Sequence, residues 1–222
     1  MSSSRFPGKV LAPFRGRPLV RHVLSVAEQV CLIDDVILVT STDESDAPLS
    51  FYVQAAGCMA VPSLDDAIRL GARFCIIATD TGRHALDGIE AAEWGLHLLV
   101  EKPLATDATE ARRLCARAAA SRKIFVGCVM RFSKSLNTFR EMLNSIGRVN
   151  PVRIECQSYL PDWRPARDYR ESYSARPDEG GVLRDLIYEI DYAGWLFGWP
   201  CALQAKVKNL GRLGINADEA VG

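Results

Sequence analysis

The 222-residue sequence predicts an α/β protein: a doubly wound parallel sheet followed by an incomplete α+β domain. Three observations predict it. Short apolar runs rich in β-branched residues alternate with helical periods between residues 34 and 130, at the spacing of βα units. Polar residues gather where those runs end, at Thr79–Asp80, Glu101–Lys102–Pro103 and Met130–Arg131, as along the carboxyl rim of an open sheet. After about residue 150 the alternation stops and a polar, aromatic, Arg-rich stretch precedes one apolar-striped helix.

Each element has a local reason. A Ser/Arg/Gly/Pro loop (2–18) leads into a helix (19–31). "DDVILVTST" (34–42) reads as a buried strand ending in hydroxyl residues. "DAPLSFYVQAAG" (46–57) reads as a helix with Asp46 as N-cap, Pro48 in its first turn and Gly57 as its stop. "CMAV" is a short strand, and "SLDDAIRLG" (63–71) a helix capped by Ser63. "RFCIIAT" (73–79) is the clearest buried strand, followed by the helix "RHALDGIEAAEWG" (83–95). "LHLLV" (96–100) is a strand, "TDATEARRLCARAAASR" (106–122) a helix and "KIFVGCVM" (123–130) a strand. "PVRIECQSYL" (151–160) alternates like a half-exposed strand. "VLRDLIYEIDYAGWLFG" (182–198) is a helix ended by Gly198, and "ALQAKVKNL" (202–210) a last strand.

Lys plus Arg balance Asp plus Glu at 27 each, so no charge excess points to nucleic acid or an anionic membrane. No apolar run approaches the ~20 residues of a membrane span, and the N-terminus lacks an apolar signal core, so a cytoplasmic protein is expected. The seven cysteines are odd in number and contain no CxxC pair. They read as reduced, buried thiols, with neither a metal site nor a disulfide framework.

Lys102 admits two readings: a strand-end lysine paired with Glu101 in solvent, or a charge aimed at a substrate hydroxyl. Pro103 limits where the chain turns after it. Asp185 and Tyr188 lie three apart, which on a continuous helix puts them on one face. Arg153, Arg164, Arg167, Arg170 and Arg176 interleave with Trp163, Tyr169 and Tyr173. That stretch is either a solvated loop or a grip on an anionic or nucleotide-activated sugar.

"RFCIIATDTGRHALDGIEAAEWG", "GLHLLVEKPLATDATEARRL" and "GGVLRDLIYEIDYAGWLFG", in that order, resemble segments of the Gfo/Idh/MocA family of nicotinamide-dependent sugar oxidoreductases. The similarity runs from about residue 60 to the end of the sequence. It implies a Rossmann-like sheet followed by an α/β substrate domain, NAD or NADP as cofactor, and a sugar or nucleotide sugar as substrate. It further implies hydride transfer at a sugar hydroxyl, a setting in polysaccharide biosynthesis, and a homo-oligomer. Lys102 matches the lysine that contacts nicotinamide and the reacting hydroxyl, with Asp185 beside it. Tyr188 stands where many members carry a histidine base, and becomes the expected acid/base. Thr79, Asp80, His84, Glu101, Pro103 and Arg131 are expected at the cofactor rim, although members usually have proline in place of Asp80. Arg164, Tyr169, Arg170 and Asp191 are expected to bind substrate.

No GxGxxG phosphate loop occurs; the loop in "VILVTSTDESDAPL" carries Asp43, Glu44 and Asp46 instead. "SSSRFPGKVLAPFRGRPLVRHVL", with the strand and helix after it, resembles the opening of a polysaccharide-biosynthesis cytidylyltransferase. That second resemblance implies a nucleotide triphosphate at Arg5, Gly8 and Lys9. The expected organisation is therefore a cytidylyltransferase-like fragment (1–58), a Rossmann-like oxidoreductase portion (59–148) and a truncated α+β substrate portion (149–222). The alternatives to an oxidoreductase are a CTP-binding remnant and a non-catalytic composite.

Overall fold

The computed structural model describes residues 8–118, 123–165 and 168–222. Arg5 and Arg167 lie outside the described residues. The chain divides into two compact units: residues up to Cys75 with Trp94–Leu96, and Ile76–Glu93 with His97–Gly222.

In the first unit, β1 (Pro13–Phe14) and β2 (Arg17–Pro18) form an antiparallel hairpin closed by Arg15 and Gly16, both at positive φ (48° and 79°). Helix α1 (Leu19–Glu28) follows, then β3 (Ile37–Val39), α2 (Ala47–Ala55), β4 (Met59–Val61) and α3 (Leu64–Arg69). Strands β3 and β4 pair in parallel, Leu38 against Ala60. The core is Val20 and Leu24 of α1 with Leu49 and Val53 of α2, and Leu38 and Ala60 pack against it. Ser63 caps α3 as expected, its Oγ accepting the Asp66 amide at 3.1 Å. Asp46 does not cap α2 with its side chain. Its carboxylate accepts the hydroxyls of Ser41 (2.5 Å) and Thr40 (3.4 Å), neighbours that outcompete the helix amides.

The chain passes from the first unit to the second within β5 (Phe74–Ile77). Helix α4 (His84–Glu93), β6 (His97–Val100), α5 (Ala108–Ala118) and β7 (Ile124–Val126) complete the βα alternation. The sheet order is β5–β6–β7, with β6 and β7 parallel and Leu99 opposite Phe125. Leu98 and Val100 of β6, Ile77 of β5 and Leu114 of α5 are buried. Gly88 lets α4 approach α5, because a Cβ there would sit 2.9 Å from Leu114 Cδ2.

Beyond β7, among the described residues, three α-helices punctuate mostly irregular chain. Helix α6 (Lys134–Leu143) meets α8 (Ile187–Phe197) through Phe139 and Phe197, ring centroids 6.5 Å apart, and through Arg140 over Trp195 at 4.8 Å. Short α7 (Val182–Asp185) precedes α8, and β8 (Val207–Lys208) pairs antiparallel with β9 (Ala220–Val221).

Three expectations are corrected here. Residues 151–159 form no strand and are nearly all exposed: alternation marks an extended segment, but a ladder needs a partner. The strand expected over 202–210 shrinks to Val207–Lys208 for the same reason. Of the cysteines, expected to be buried, Cys31, Cys115, Cys156 and Cys201 are exposed, since apolar neighbours in sequence need not be neighbours in space. Among the described residues no helix is long and apolar enough to cross a membrane, and no group of three or more His, Cys, Asp or Glu could hold a metal ion.

Candidate active site

The strand ends of the second unit are tied to one another by backbone bonds. The Glu101 amide donates to the Ile77 carbonyl (2.9 Å) and the Gly127 amide to the Val100 carbonyl (2.7 Å), so the residues after β5, β6 and β7 are held side by side. Thr79 lies just beyond β5, where its hydroxyl donates to Asp87 (2.7 Å), which Arg83 also grips at 2.7 Å. Asp80 is exposed, and its carbonyl accepts the Arg83 amide at 2.8 Å.

His84 does not line the rim. It is only 2% exposed, with Nδ1 facing the Pro103 carbonyl (2.8 Å) and Nε2 the Thr79 carbonyl (3.0 Å). It therefore staples the end of β5 to the Glu-Lys-Pro turn. Glu101 is exposed; its carboxylate accepts the Lys102 amide at 3.2 Å and borders Gly127. Pro103 is buried behind a cis Lys102–Pro103 peptide.

The half-buried Lys102 side chain reaches toward the start of α8. Its ammonium donates to the main-chain carbonyl of Asp185 (3.1 Å) and lies 4.7 Å from the centre of the Tyr188 ring. The amine thus meets the face of the phenol, a cation–π contact. Asp185 and Tyr188 do not share a continuous helix. Leu186 (φ −101°, ψ 26°) interrupts the chain between α7 and α8, and this break turns the Asp185 carbonyl out of helix bonding toward Lys102. The Asp185 carboxylate accepts the hydroxyl of Tyr173.

A second cluster lies one turn further along α8. Arg131, expected at the cofactor, and Asp191, expected at the substrate, are paired with each other. The guanidinium grips the carboxylate with Nε (2.9 Å) and Nη2 (2.6 Å). Asp191 is 9% exposed, and its carboxylate raises the affinity of Arg131 for its proton. The Cys128 thiol feels the same carboxylate. Burial first, and the Asp191 charge second, push that thiol up to about 11. Iodoacetamide is therefore expected to modify exposed Cys31 and Cys201 well before Cys128 at neutral pH. In Asp191→Asn the Cys128 rate should rise, by roughly three- to fourfold for each unit its pKa falls, a tenfold gain in thiolate being partly offset by its weaker nucleophilicity. Peptide mapping after brief labelling checks this, and a Cys128 as fast as Cys201 in the unmutated chain would refute it.

Tyr169 and Arg170 are engaged elsewhere. The Tyr169 hydroxyl donates to the Leu213 carbonyl (2.8 Å), and the Arg170 guanidinium stacks over the Tyr169 ring at 4.5 Å. Arg164 is half-buried. In the first unit, Gly8 (φ 70°) accepts the Leu11 and Ala12 amides, and Lys9 is exposed.

Sequence reasoning gave no role to three residues of this region. Tyr173 was one aromatic among several. Arg184 donates to the carbonyls of Thr106 (3.0 Å), Pro177 (2.9 Å) and Gly180 (3.2 Å), joining the segment after Lys102 to the start of α7. Asp218 accepts the Leu183 amide (2.8 Å) at the N-terminus of α7. The Gly180–Gly181 pair was the available signal that this helix start is crowded.

The oxidoreductase family with an NAD-binding Rossmann fold, GFO_IDH_MocA, matches residues 16–128. That span takes in residues 16–58, most of the stretch resembling a cytidylyltransferase, and none of these comparisons supports the second resemblance. An uncharacterized oxidoreductase of Streptococcus pneumoniae is 24% identical over 166 residues, 74% of this chain and 44% of the relative. The WlbA dehydrogenase of Bordetella pertussis, solved with NADH and UDP-GlcNAcA, superposes with a TM-score of 0.64 at 23% identity. That superposition covers 84% of this chain and 54% of WlbA. The WlbA dehydrogenase of Chromobacterium violaceum, solved with the same two ligands, gives 0.66 at 23% identity, over 91% of this chain and 59% of that one. The chain thus spans less than half the length of its curated relative and little more than half that of these structures.

The two units answer differently when asked whether they suit a nicotinamide dinucleotide. The second offers an ammonium and a phenol at a strand's carboxyl end, a donor set suited to the nicotinamide side. The first offers no glycine-rich cradle at the start of α1: Pro18 has no N–H to give, and the Leu19 amide already donates to Ala12 (3.0 Å). With its parallel βα units and the family match over slightly more than half its residues, the chain belongs to the Gfo/Idh/MocA oxidoreductase family of the NAD-binding Rossmann fold.

Proposed function

We propose that this chain serves hydride transfer between NAD(P) and a hydroxyl of a sugar or nucleotide sugar, in polysaccharide biosynthesis. The observation carrying the proposal is the Lys102 ammonium, fixed by the Asp185 carbonyl at 3.1 Å and by the Tyr188 ring at 4.7 Å. Structures of WlbA with NADH and a UDP-sugar support the substrate class.

When bound, the nicotinamide supplies the acceptor or donor of the hydride. The chain's own residues handle charge and proton. Lys102 favours the alkoxide form of the reacting hydroxyl, a charge that grows toward the transition state. Tyr188 exchanges the proton of that hydroxyl. Its ring is already held by the ammonium, so its hydroxyl is presented at a fixed distance from it. Asp185 fixes the lysine from its main chain while its carboxylate engages Tyr173. His84 keeps the Glu-Lys-Pro turn in place from beneath.

Isothermal titration tests the reading. NADH is expected to give a saturable heat with the folded chain and CTP none. Heat with CTP alone, or with neither in a sample shown to be folded, defeats the proposal.

A further inference from the structure

Tyr173 sits in a turn whose backbone is pinned independently of its side chain. Its carbonyl accepts the Arg176 amide (2.9 Å), the Ser174 carbonyl accepts the Gly181 amide (3.0 Å), and the Arg176 carbonyl accepts the Gly180 amide (2.9 Å). The turn lies so close to Gly180 that a Cβ there would fall 2.3 Å from the Tyr173 carbonyl oxygen. The phenol is thus delivered by a stiff support to the Asp185 carboxylate.

Asp185 has two functional ends. Its main-chain carbonyl takes the Lys102 ammonium, and its carboxylate takes the Tyr173 hydroxyl. We propose that Tyr173 is a positioning residue for Lys102: by engaging the Asp185 carboxylate it leaves the main-chain carbonyl to hold the ammonium. A carboxylate in full ion pairing with the amine would cancel the charge that a developing alkoxide needs. A carbonyl dipole orients the amine without cancelling it. This inference rests on the reading of Lys102 as the working cation and adds a residue that the reading does not require.

The test observes the amine itself, so it does not depend on turnover or cofactor binding. In full-length protein carrying 15Nζ-labelled lysine, the Lys102 signal is assigned by its loss in Lys102→Arg. Tyr173→Phe is expected to shift that signal, whereas Tyr159→Phe, at an exposed tyrosine, leaves it in place. In an Asp185→Asn background, Tyr173→Phe is expected to add no further shift. A Lys102 signal unmoved by Tyr173→Phe, or moved equally in both backgrounds, overturns the proposal. If Tyr173→Phe does not fold, Asp185→Asn serves from the other side. It should shift the 13Cζ signal of Tyr173, and an unmoved signal there overturns the proposal as well. Failure of NADH to bind would defeat the functional reading while leaving this measurement decisive.

Discussion

On the proposed reading, Lys102→Ala is expected to lower NAD-linked turnover of a sugar or nucleotide sugar by about 100- to 1,000-fold, the loss seen when one donor to a developing oxyanion is removed. Most of that loss should appear in kcat. The ammonium is worth most when the hydroxyl carries charge, and the ground-state alcohol has little to gain from it. Lys102→Arg is expected to recover little. A guanidinium is wider and planar, and the site holds a compact ammonium 3.1 Å from one carbonyl and 4.7 Å from one ring centre. Steady-state kinetics of the three proteins, with NADH affinity measured in parallel, checks the prediction. Lys102→Ala turning over as fast as the unmutated chain would remove the lysine from the chemistry.

Gly180→Ala is expected to cost about 3 kcal/mol or more of folding stability, a fall of roughly 6–12 °C in Tm for a chain of this size. The reason is space. A Cβ at Gly180 would lie 2.3 Å from the Tyr173 carbonyl oxygen and 2.4 Å from Ser174 Cα, both backbone atoms that cannot swing aside. The comparison is Gly57→Ala, where φ is +84° but nothing lies within 4 Å. That change should cost about 1–2 kcal/mol from the left-handed backbone alone. Thermal unfolding of both variants separates crowding from backbone strain. Equal melting of the two would show that the 173–176 turn does not rest on Gly180.

The βα portion was legible because its signals are local. Strand β5 has a clear end, although Phe74 and Ile76 are exposed where a buried strand was expected, Ser63 stands where a cap belongs, and glycines such as Gly57 and Gly95 close their helices at positive φ. The place of Lys102 just beyond β6 was legible too, since a proline after a strand-end lysine limits how the strand continues. Other features depend on partners far along the chain. Residues 151–159 alternate as a strand should, but pairing is not written in one segment. No proline or glycine marks the break at Leu186, so 182–198 reads as one helix although it is two. Arg131 and Asp191 were each identified as useful side chains, but sixty positions separate them and nothing local joins them. Tyr173 was hidden among equally plausible aromatics, because its significance comes from one carboxylate.

The Arg184 tie has an environmental consequence. Every hydrogen bond described for that guanidinium ends on a peptide oxygen, at Thr106, Pro177 or Gly180. Peptide oxygens neither dissociate nor titrate in the range a cell visits, and counter-ions weaken pairs of free charges far more than bonds to such dipoles. The fastening between the segment after Lys102 and the head of α7 should therefore hold in brine and in mild acid.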